Sequence, residues 1–96
     1  MMVLITYDVS TQTLGGIKRL RMVAKECESH AQRVQKSVFE ADLDWSSFMK
    51  LKSSLLKIID MKNDSIRFYY LGNNWKRKVE HYGAKETYDP EGTLIV

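Results

Sequence analysis

The residue that most clearly suggests chemistry is Asp8, at the carboxyl end of the apolar run 3–9. Carboxylate oxygens suit Mg²⁺ and Mn²⁺, and Mg²⁺ often takes only one or two carboxylates beside waters and substrate phosphates. Asp8 could hold such a cation, and a two-fold dimer with Asp8 near its axis would supply a second carboxylate. The alternative is an Asx-type turn through Ser10. Spacing alone favours that turn, because single acidic residues at strand ends are common.

Basic side chains follow Asp8 closely along the chain. Lys18, Arg19 and Arg21 lie about one turn inside a predicted helix. The N-terminus of a helix attracts anions, and the planar guanidinium group matches phosphate. The alternative is a solvated helix face. Because basic groups near a helix start oppose the helix dipole, at about 0.3–1 kcal/mol each, their presence slightly favours a phosphate-binding role.

Two further groups combine basic and aromatic side chains. Arg33 and Phe39 lie in a strand-like segment, where an exposed Phe could stack on a nucleotide. In such a segment, however, a Phe more often belongs to the core. Trp75 precedes the basic run 76–78, and it could stack on a base or anchor a turn.

The elements that would position these residues follow from hydrophobic periodicity, caps and turn residues. The first half of the chain predicts a central strand over 3–9, a polar loop over 10–16, a helix over 17–28, and strand material over 30–43 that forms a hairpin or one bent strand. The second half predicts a helix that Asp44 caps and that runs to about residue 61, strands over 65–71 and 75–82, and strand-like residues 93–96. The first helix would bury Ile17, Leu20, Ala24 and Cys27, which recur at helical spacing.

This order predicts an α+β fold in which two helices cover one face of a sheet. The ferredoxin-like βαββαβ two-layer sandwich fits best, as a single domain over residues 1–96. The final strand has no place in a four-stranded sheet. It would extend its own sheet or join the edge of a partner, which would make a dimer.

Composition limits the class of partner and the compartment. The net charge is +3 and the pI about 9.0, which is compatible with a polyanion such as nucleic acid. One cysteine excludes an intrachain disulfide and indicates the cytosol. The apolar runs fall far short of the roughly 20 residues that a membrane span needs, and the N-terminus lacks the basic region of a signal peptide. We therefore expect a cytoplasmic protein with no membrane partner.

Three features together resemble the CRISPR-associated protein 2 family. They are a first strand ending in Tyr7 and Asp8, a basic helix with Arg19 and Arg21, and the run RVQKSVFE at 33–40. The likeness covers nearly the whole chain, and the run at 33–40 is its most specific part. It implies a ferredoxin-like homodimer in which a C-terminal strand, within about residues 75–96, packs on the partner's sheet.

The resemblance also implies a prokaryotic, cytoplasmic, metal-dependent endonuclease that acts in spacer acquisition and cuts double-stranded DNA or single-stranded RNA. A divalent cation, Mg²⁺ or Mn²⁺, would lie between the two copies of Asp8. The residues that support the active site or bind substrate would be Tyr7, Arg19, Arg21, Arg33 and Phe39. The family's more general role implies the alternative, a non-catalytic dimeric scaffold that binds duplex DNA and holds the CRISPR-associated protein 1 integrase.

Overall fold

The computed structural model describes residues 1–72 and 78–84. These residues form five strands and two helices. Their bounds are β1 Met2–Asp8, α1 Leu14–His30, β2 Gln32–Gln35, β3 Val38–Asp42, α2 Trp45–Ile58, β4 Ser65–Leu71 and β5 Lys78–Gly83. None of the helices in the described part of the chain is long and apolar enough to cross a membrane.

The strands form one antiparallel sheet in the order β2-β3-β1-β4-β5. The central position predicted for β1 is therefore confirmed. β1 pairs with β4 along its whole length, from Met2 opposite Leu71 to Asp8 opposite Ser65. The first four strands have the order of a ferredoxin-like fold, so the predicted fold class is confirmed, and β5 extends the sheet beyond β4.

The core lies between the two helices and one face of the sheet. It consists of Val3, Ile5, Tyr7, Val9, Val23, Cys27, Phe39, Ala41, Phe48, Leu51, Leu55, Ile59, Ile66 and Phe68. Along β1, buried residues alternate with more exposed ones, as expected for a strand with one face toward the core. The opposite face of the sheet carries Leu4 and Thr6 from β1 and Tyr69 from β4, all half-buried.

Helix α1 differs from the prediction in its start and in its buried side. It begins at Leu14 rather than at residue 17, because the Thr13 side chain caps it and accepts a hydrogen bond from the Gly16 amide at 3.0 Å. Gly16 and Val23 are buried, whereas Ile17 is 39% exposed. The predicted buried stripe was therefore wrong at Ile17. Gly16 instead faces the Ser10 carbonyl, and it approaches so closely that a Cβ at this position would overlap the carbonyl oxygen.

The other predicted elements agree closely with the structure. The predicted strand material over 30–43 forms a hairpin over residues 32–42, since His30 still belongs to α1. Strand β4 has the predicted bounds, and α2 ends at Ile58, three residues before the predicted end. Asp44 caps α2 and accepts a hydrogen bond from the Ser47 amide at 3.3 Å. Strand β5 covers most of the predicted 75–82, while the basic residues 76–77 with Trp75 and the strand-like 93–96 lie outside the described residues.

Candidate functional site

Asp8 is the last residue of the central strand and is exposed. Its neighbours Tyr7 and Val9 are buried. Asp8 is therefore attached to the packed core on both sides and does not lie in a long loop. It lies opposite Ser65 at the end of the β1–β4 ladder, and α1 begins at Leu14. This position makes the carboxylate accessible to a cation or to a substrate.

The two arginines of α1 have different surroundings. Arg19 turns toward Asp64: its Nε donates to Oδ2 at 2.8 Å, and its Nη2 to Oδ1 at 3.4 Å. Its side chain is only 23% exposed. Arg21 and Lys18 are exposed on the helix. Of the predicted phosphate-binding groups, Arg19 is thus already engaged by a carboxylate.

Asp64 is the residue near this site that sequence analysis missed. It is 1% exposed, and besides the guanidinium of Arg19 it accepts the Ser10 amide at 3.0 Å and the Asp60 amide at 2.8 Å. Burial acts to raise the pKa of Asp64, but the hydrogen bonds from Arg19 and the two amides outweigh it and hold the pKa below its usual range. The carboxylate is therefore ionised.

The sequence contained little that could have identified Asp64. The pair at residues 63–64 predicts a turn, and a turn Asp is ordinarily exposed. The one available signal is that α1 has no acidic residue in its first turn, while its first charged residues, Lys18 and Arg19, follow directly after that turn. A guanidinium close to the positive end of a helix is more stable with a carboxylate partner from elsewhere.

Tyr7, Phe39 and Arg33 form one continuous stack. The Tyr7 and Phe39 rings lie 6.2 Å apart at 19°, and the Arg33 guanidinium lies 5.0 Å from the Phe39 ring centroid. Phe39 has no exposed surface. Of the two roles considered for it, an exposed ring that stacks on a nucleotide and a core residue, the structure therefore shows the core role. Mainly through burial, the pKa of Tyr7 is raised, and its hydroxyl donates to the Lys36 carbonyl at 3.3 Å.

Arg33 lies at the surface end of this stack. Its Nη2 makes an ion pair with Glu28 Oε2 at 3.1 Å, and both side chains are about half exposed. An ion pair in such a position is worth about 0–1 kcal/mol, so a phosphate group could replace the carboxylate at little cost. The stack therefore connects an accessible guanidinium to Tyr7, whose side chain lies on the core face of β1, whereas the neighbouring Asp8 lies on the opposite face.

For a metal ion, this site offers the carboxylate of Asp8 and not a complete set of protein ligands. Within residues 1–72 and 78–84, no group of three or more His, Cys, Asp or Glu side chains is placed to hold a metal. An exposed Asp8 does fit a hydrated Mg²⁺, which keeps several waters and completes its shell with substrate phosphates.

A second hydrogen-bonded carboxylate, the half-buried Glu80 on β5, lies beside α2 and not at the Asp8 end. It accepts Lys52 Nζ at 2.7 Å and the Tyr70 hydroxyl at 2.8 Å. Burial acts to raise the pKa of Glu80, but the hydrogen bonds from these two groups hold it below its usual range. Glu80 resembles Asp64 chemically while lying opposite Phe68 in the middle of β4, away from Ser65.

The chain is similar to proteins of one named family throughout its length. A sequence model described as CRISPR associated protein Cas2 matches residues 1–79. A CRISPR-associated endoribonuclease Cas2 from Chlorobaculum tepidum is 56% identical over 96 residues, 100% of each chain. A CRISPR-associated endonuclease Cas2 from Halalkalibacterium halodurans is 56% identical over 95 residues, 99% of each chain. The crystal structure of Streptococcus pyogenes Cas2 at pH 6.5 has 59% identity and a TM-score of 0.70, covering 78% of this chain and 90% of that one.

Proposed function

Because this chain belongs to the CRISPR-associated protein Cas2 family, we propose that it is a CRISPR endonuclease that hydrolyses phosphodiester bonds at a Mg²⁺ site built on Asp8. The family that the sequence resemblance indicated is confirmed. The observation that carries the proposal is the position of Asp8, an exposed carboxylate at the end of the central strand between buried Tyr7 and Val9.

The names of the relatives support nuclease activity, and one of the two names RNA as its substrate while the other names no substrate. The relative from C. tepidum is named an endoribonuclease and the one from H. halodurans an endonuclease, and both are 56% identical to this chain. Single-stranded RNA and double-stranded DNA are therefore both proposed substrates. The proposed place of action is the cytoplasm of a prokaryote, in the acquisition of new spacers.

Each site residue has a role in this proposal that follows from its surroundings. Asp8 would hold Mg²⁺, or Mn²⁺, which when bound lowers the pKa of a water and neutralises phosphate charge. Arg21 is exposed and would bind substrate phosphates. Arg33 would exchange Glu28 for a phosphate, with Phe39 and Tyr7 packed behind it.

The proposed active unit is a homodimer, and the sheet supports this. The face opposite the helices carries half-buried Leu4 and Tyr69 at its centre, and Asp8 lies on the same face. A second copy packed against this face would bury that apolar surface and bring a second Asp8 to the site. Within the segment 75–96 that was predicted to contribute to the partner, residues 78–83 form β5 and pair with β4 of the same chain, and the strand-like residues 93–96 lie outside the described ranges.

For the dimer, we expect sedimentation equilibrium to give twice the chain mass of 11.2 kDa. Leu4→Lys places a charge in the middle of the sheet face opposite the helices and should shift the protein from dimer to monomer. Met49→Lys, on the exposed side of α2, is the matched control and should remain dimeric. A monomeric wild type, or a dimer that Leu4→Lys leaves intact, would contradict the proposed interface.

The alternative function is a scaffold that binds duplex DNA and holds the CRISPR-associated protein 1 integrase without cutting. Two observations favour it: the exposed cations Lys18 and Arg21 on a chain of net charge +3, and the lack, among the described residues, of any group of three or more side chains that could hold a metal. Binding to the phosphate backbone requires no metal and weakens steeply with salt. Such affinity would persist when Asp8 is removed.

The experiment that tests the nuclease proposal presents linear duplex DNA and single-stranded RNA to the protein with Mg²⁺. We expect cleavage of at least one substrate, its loss when EDTA removes the metal, and its recovery with excess Mg²⁺ or Mn²⁺. Cleavage that persists in EDTA would contradict the proposed metal dependence. If neither substrate is cut, the scaffold becomes the better proposal.

A further inference from the structure

Three parts of the chain meet at the buried carboxylate of Asp64. The loop after β1 donates through the Ser10 amide, α1 through the Arg19 guanidinium, and the turn after α2 through the Asp60 amide. Both carboxylate oxygens accept hydrogen bonds. Oδ1 accepts from the Ser10 amide and from Nη2 of Arg19, and Oδ2 accepts from the Asp60 amide and from Nε of Arg19. Removing Arg19 from this pair would leave a buried carboxylate without its cation, which is strongly unfavourable.

The main chain of Asp64 is fixed as well. The Ala84 amide donates to its carbonyl oxygen at 2.9 Å. Gly83 has φ 113° and approaches so closely that a Cβ there would overlap the same carbonyl. The end of β5 thus holds the backbone of Asp64 while its side chain holds the loop and α1.

Asp8 is connected to Asp64 in two ways, through the β1–β4 pairing and through the loop after β1. It lies opposite Ser65, the residue after Asp64, in the β1–β4 ladder. Two residues after Asp8, the Ser10 amide is bound to the Asp64 carboxylate. The course of the chain through Asp8 is therefore set by residues 64 and 65 together.

We propose that Asp64 is a positioning residue, which holds Arg19 and the loop after β1 so that Asp8 presents its carboxylate to the metal. In this arrangement Arg19 has a structural role, and Arg21 is the arginine of α1 that contacts nucleic acid. The inference rests on the proposed nuclease function for its kinetic consequences. Its structural part, the hold of Asp64 on Ser10, can be tested separately.

The test compares Asp64→Asn with Glu80→Gln, a matched change of a half-buried carboxylate that is also held by several hydrogen bonds. We expect Asp64→Asn to speed hydrogen exchange of the Ser10 amide at least tenfold and to leave exchange in β5 as in the wild type. In the nuclease assay it should raise the Mg²⁺ concentration for half-maximal rate by roughly 10–100-fold, with KM for nucleic acid within about twofold. Glu80→Gln should change neither quantity, even if it lowers the melting temperature equally.

A second pair of variants keeps the inference testable if Asp64→Asn does not fold. Arg19→Gln should raise the Mg²⁺ requirement, as Asp64→Asn does, whereas Arg21→Gln should raise KM for nucleic acid and leave the Mg²⁺ requirement unchanged. If Arg19→Gln raises KM as Arg21→Gln does, Arg19 binds substrate and the inference is overturned.

The two proposals fail in different ways. Unchanged exchange at Ser10 together with an unchanged Mg²⁺ requirement in Asp64→Asn would overturn the positioning role and leave the nuclease in place. If the wild type cuts nothing, the nuclease proposal fails, and faster exchange at Ser10 in Asp64→Asn alone would still support the hold on the loop.

Discussion

Asp8→Ala is expected to lower kcat/KM for Mg²⁺-dependent cleavage by at least about a hundredfold, which corresponds to about 2.7 kcal/mol of transition-state stabilisation. The reason is that Asp8 is the proposed protein ligand of the cation, and the described residues contain no group of three or more His, Cys, Asp or Glu side chains that could hold it elsewhere. Without it, neither the metal nor the activated water would be held at the scissile phosphate. The measurement is initial rate against Mg²⁺ concentration on both proposed substrates.

Asp42→Ala provides the matched control for Asp8→Ala. Asp42 is also an exposed aspartate, the last residue of β3, and it lies on the same sheet face at the opposite end of β1. Both substitutions should change the free energy of unfolding by less than about 1 kcal/mol, because both positions are at the surface. Only Asp8→Ala should abolish cleavage.

The same variant separates the nuclease from the scaffold. Duplex binding by Asp8→Ala should match that of the wild type and fall with salt, because the cations that meet the phosphates are unchanged. Equal cleavage by the wild type and Asp8→Ala would exclude Asp8 as the metal ligand and would indicate a contaminating nuclease. Lost binding together with lost cleavage would show that Asp8 supports the fold of the nucleic-acid surface instead.

Local patterns predicted the sheet well because each strand has a clear physical signature. The alternation of apolar residues in β4 gave its bounds, and the continuous apolar run of β1 gave its central position. Asp44 was identified as a helix cap from its residue type and place. These features depend on neighbours in sequence, so the sequence contains them directly.

The site depended on contacts that local patterns do not contain. Asp64 lies 45 residues from Arg19 and 54 from Ser10, and in sequence it is one acidic residue in a turn. Arg19 was predicted to bind phosphate because a guanidinium near a helix start suits an anion. The structure shows that the anion can be a carboxylate of the same chain.

The start of α1 was predicted three residues late for a related reason. Two successive glycines are typical of a loop, and the stripe through Ile17 shares Leu20 and Cys27 with the true buried side. Hydrophobicity cannot distinguish a buried side of α1 that includes Gly16 from one that includes Ile17, because Gly16 carries no apolar side chain. What decides between them is the close approach of Gly16 to the Ser10 carbonyl.

This contact leads to a second large effect: Gly16→Ala should lower the free energy of unfolding by about 3 kcal/mol, the upper end of the range for overpacking. The methyl group would overlap a backbone carbonyl, so α1 or the loop must shift as a whole. Gly15→Ala is the matched control, since a Cβ there meets only the Arg19 and Thr13 side chains, at 3.5 and 3.8 Å. It should stabilise the protein by up to about 1 kcal/mol through helix propensity. Urea unfolding measures both.

Gly16→Ala should also impair catalysis in the molecules that remain folded, because Ser10 is bound on both sides. Its carbonyl faces Gly16, and its amide donates to Asp64 at 3.0 Å. A displaced Ser10 would weaken that hydrogen bond, so Gly16→Ala should raise the Mg²⁺ requirement in the same direction as Asp64→Asn, while Gly15→Ala should not. If Gly16→Ala lost stability but kept the wild-type Mg²⁺ dependence, the loop after β1 would have to tolerate a shift of Ser10 without moving Asp8. The position of the metal ligand would then be set by the β1–β4 ladder alone.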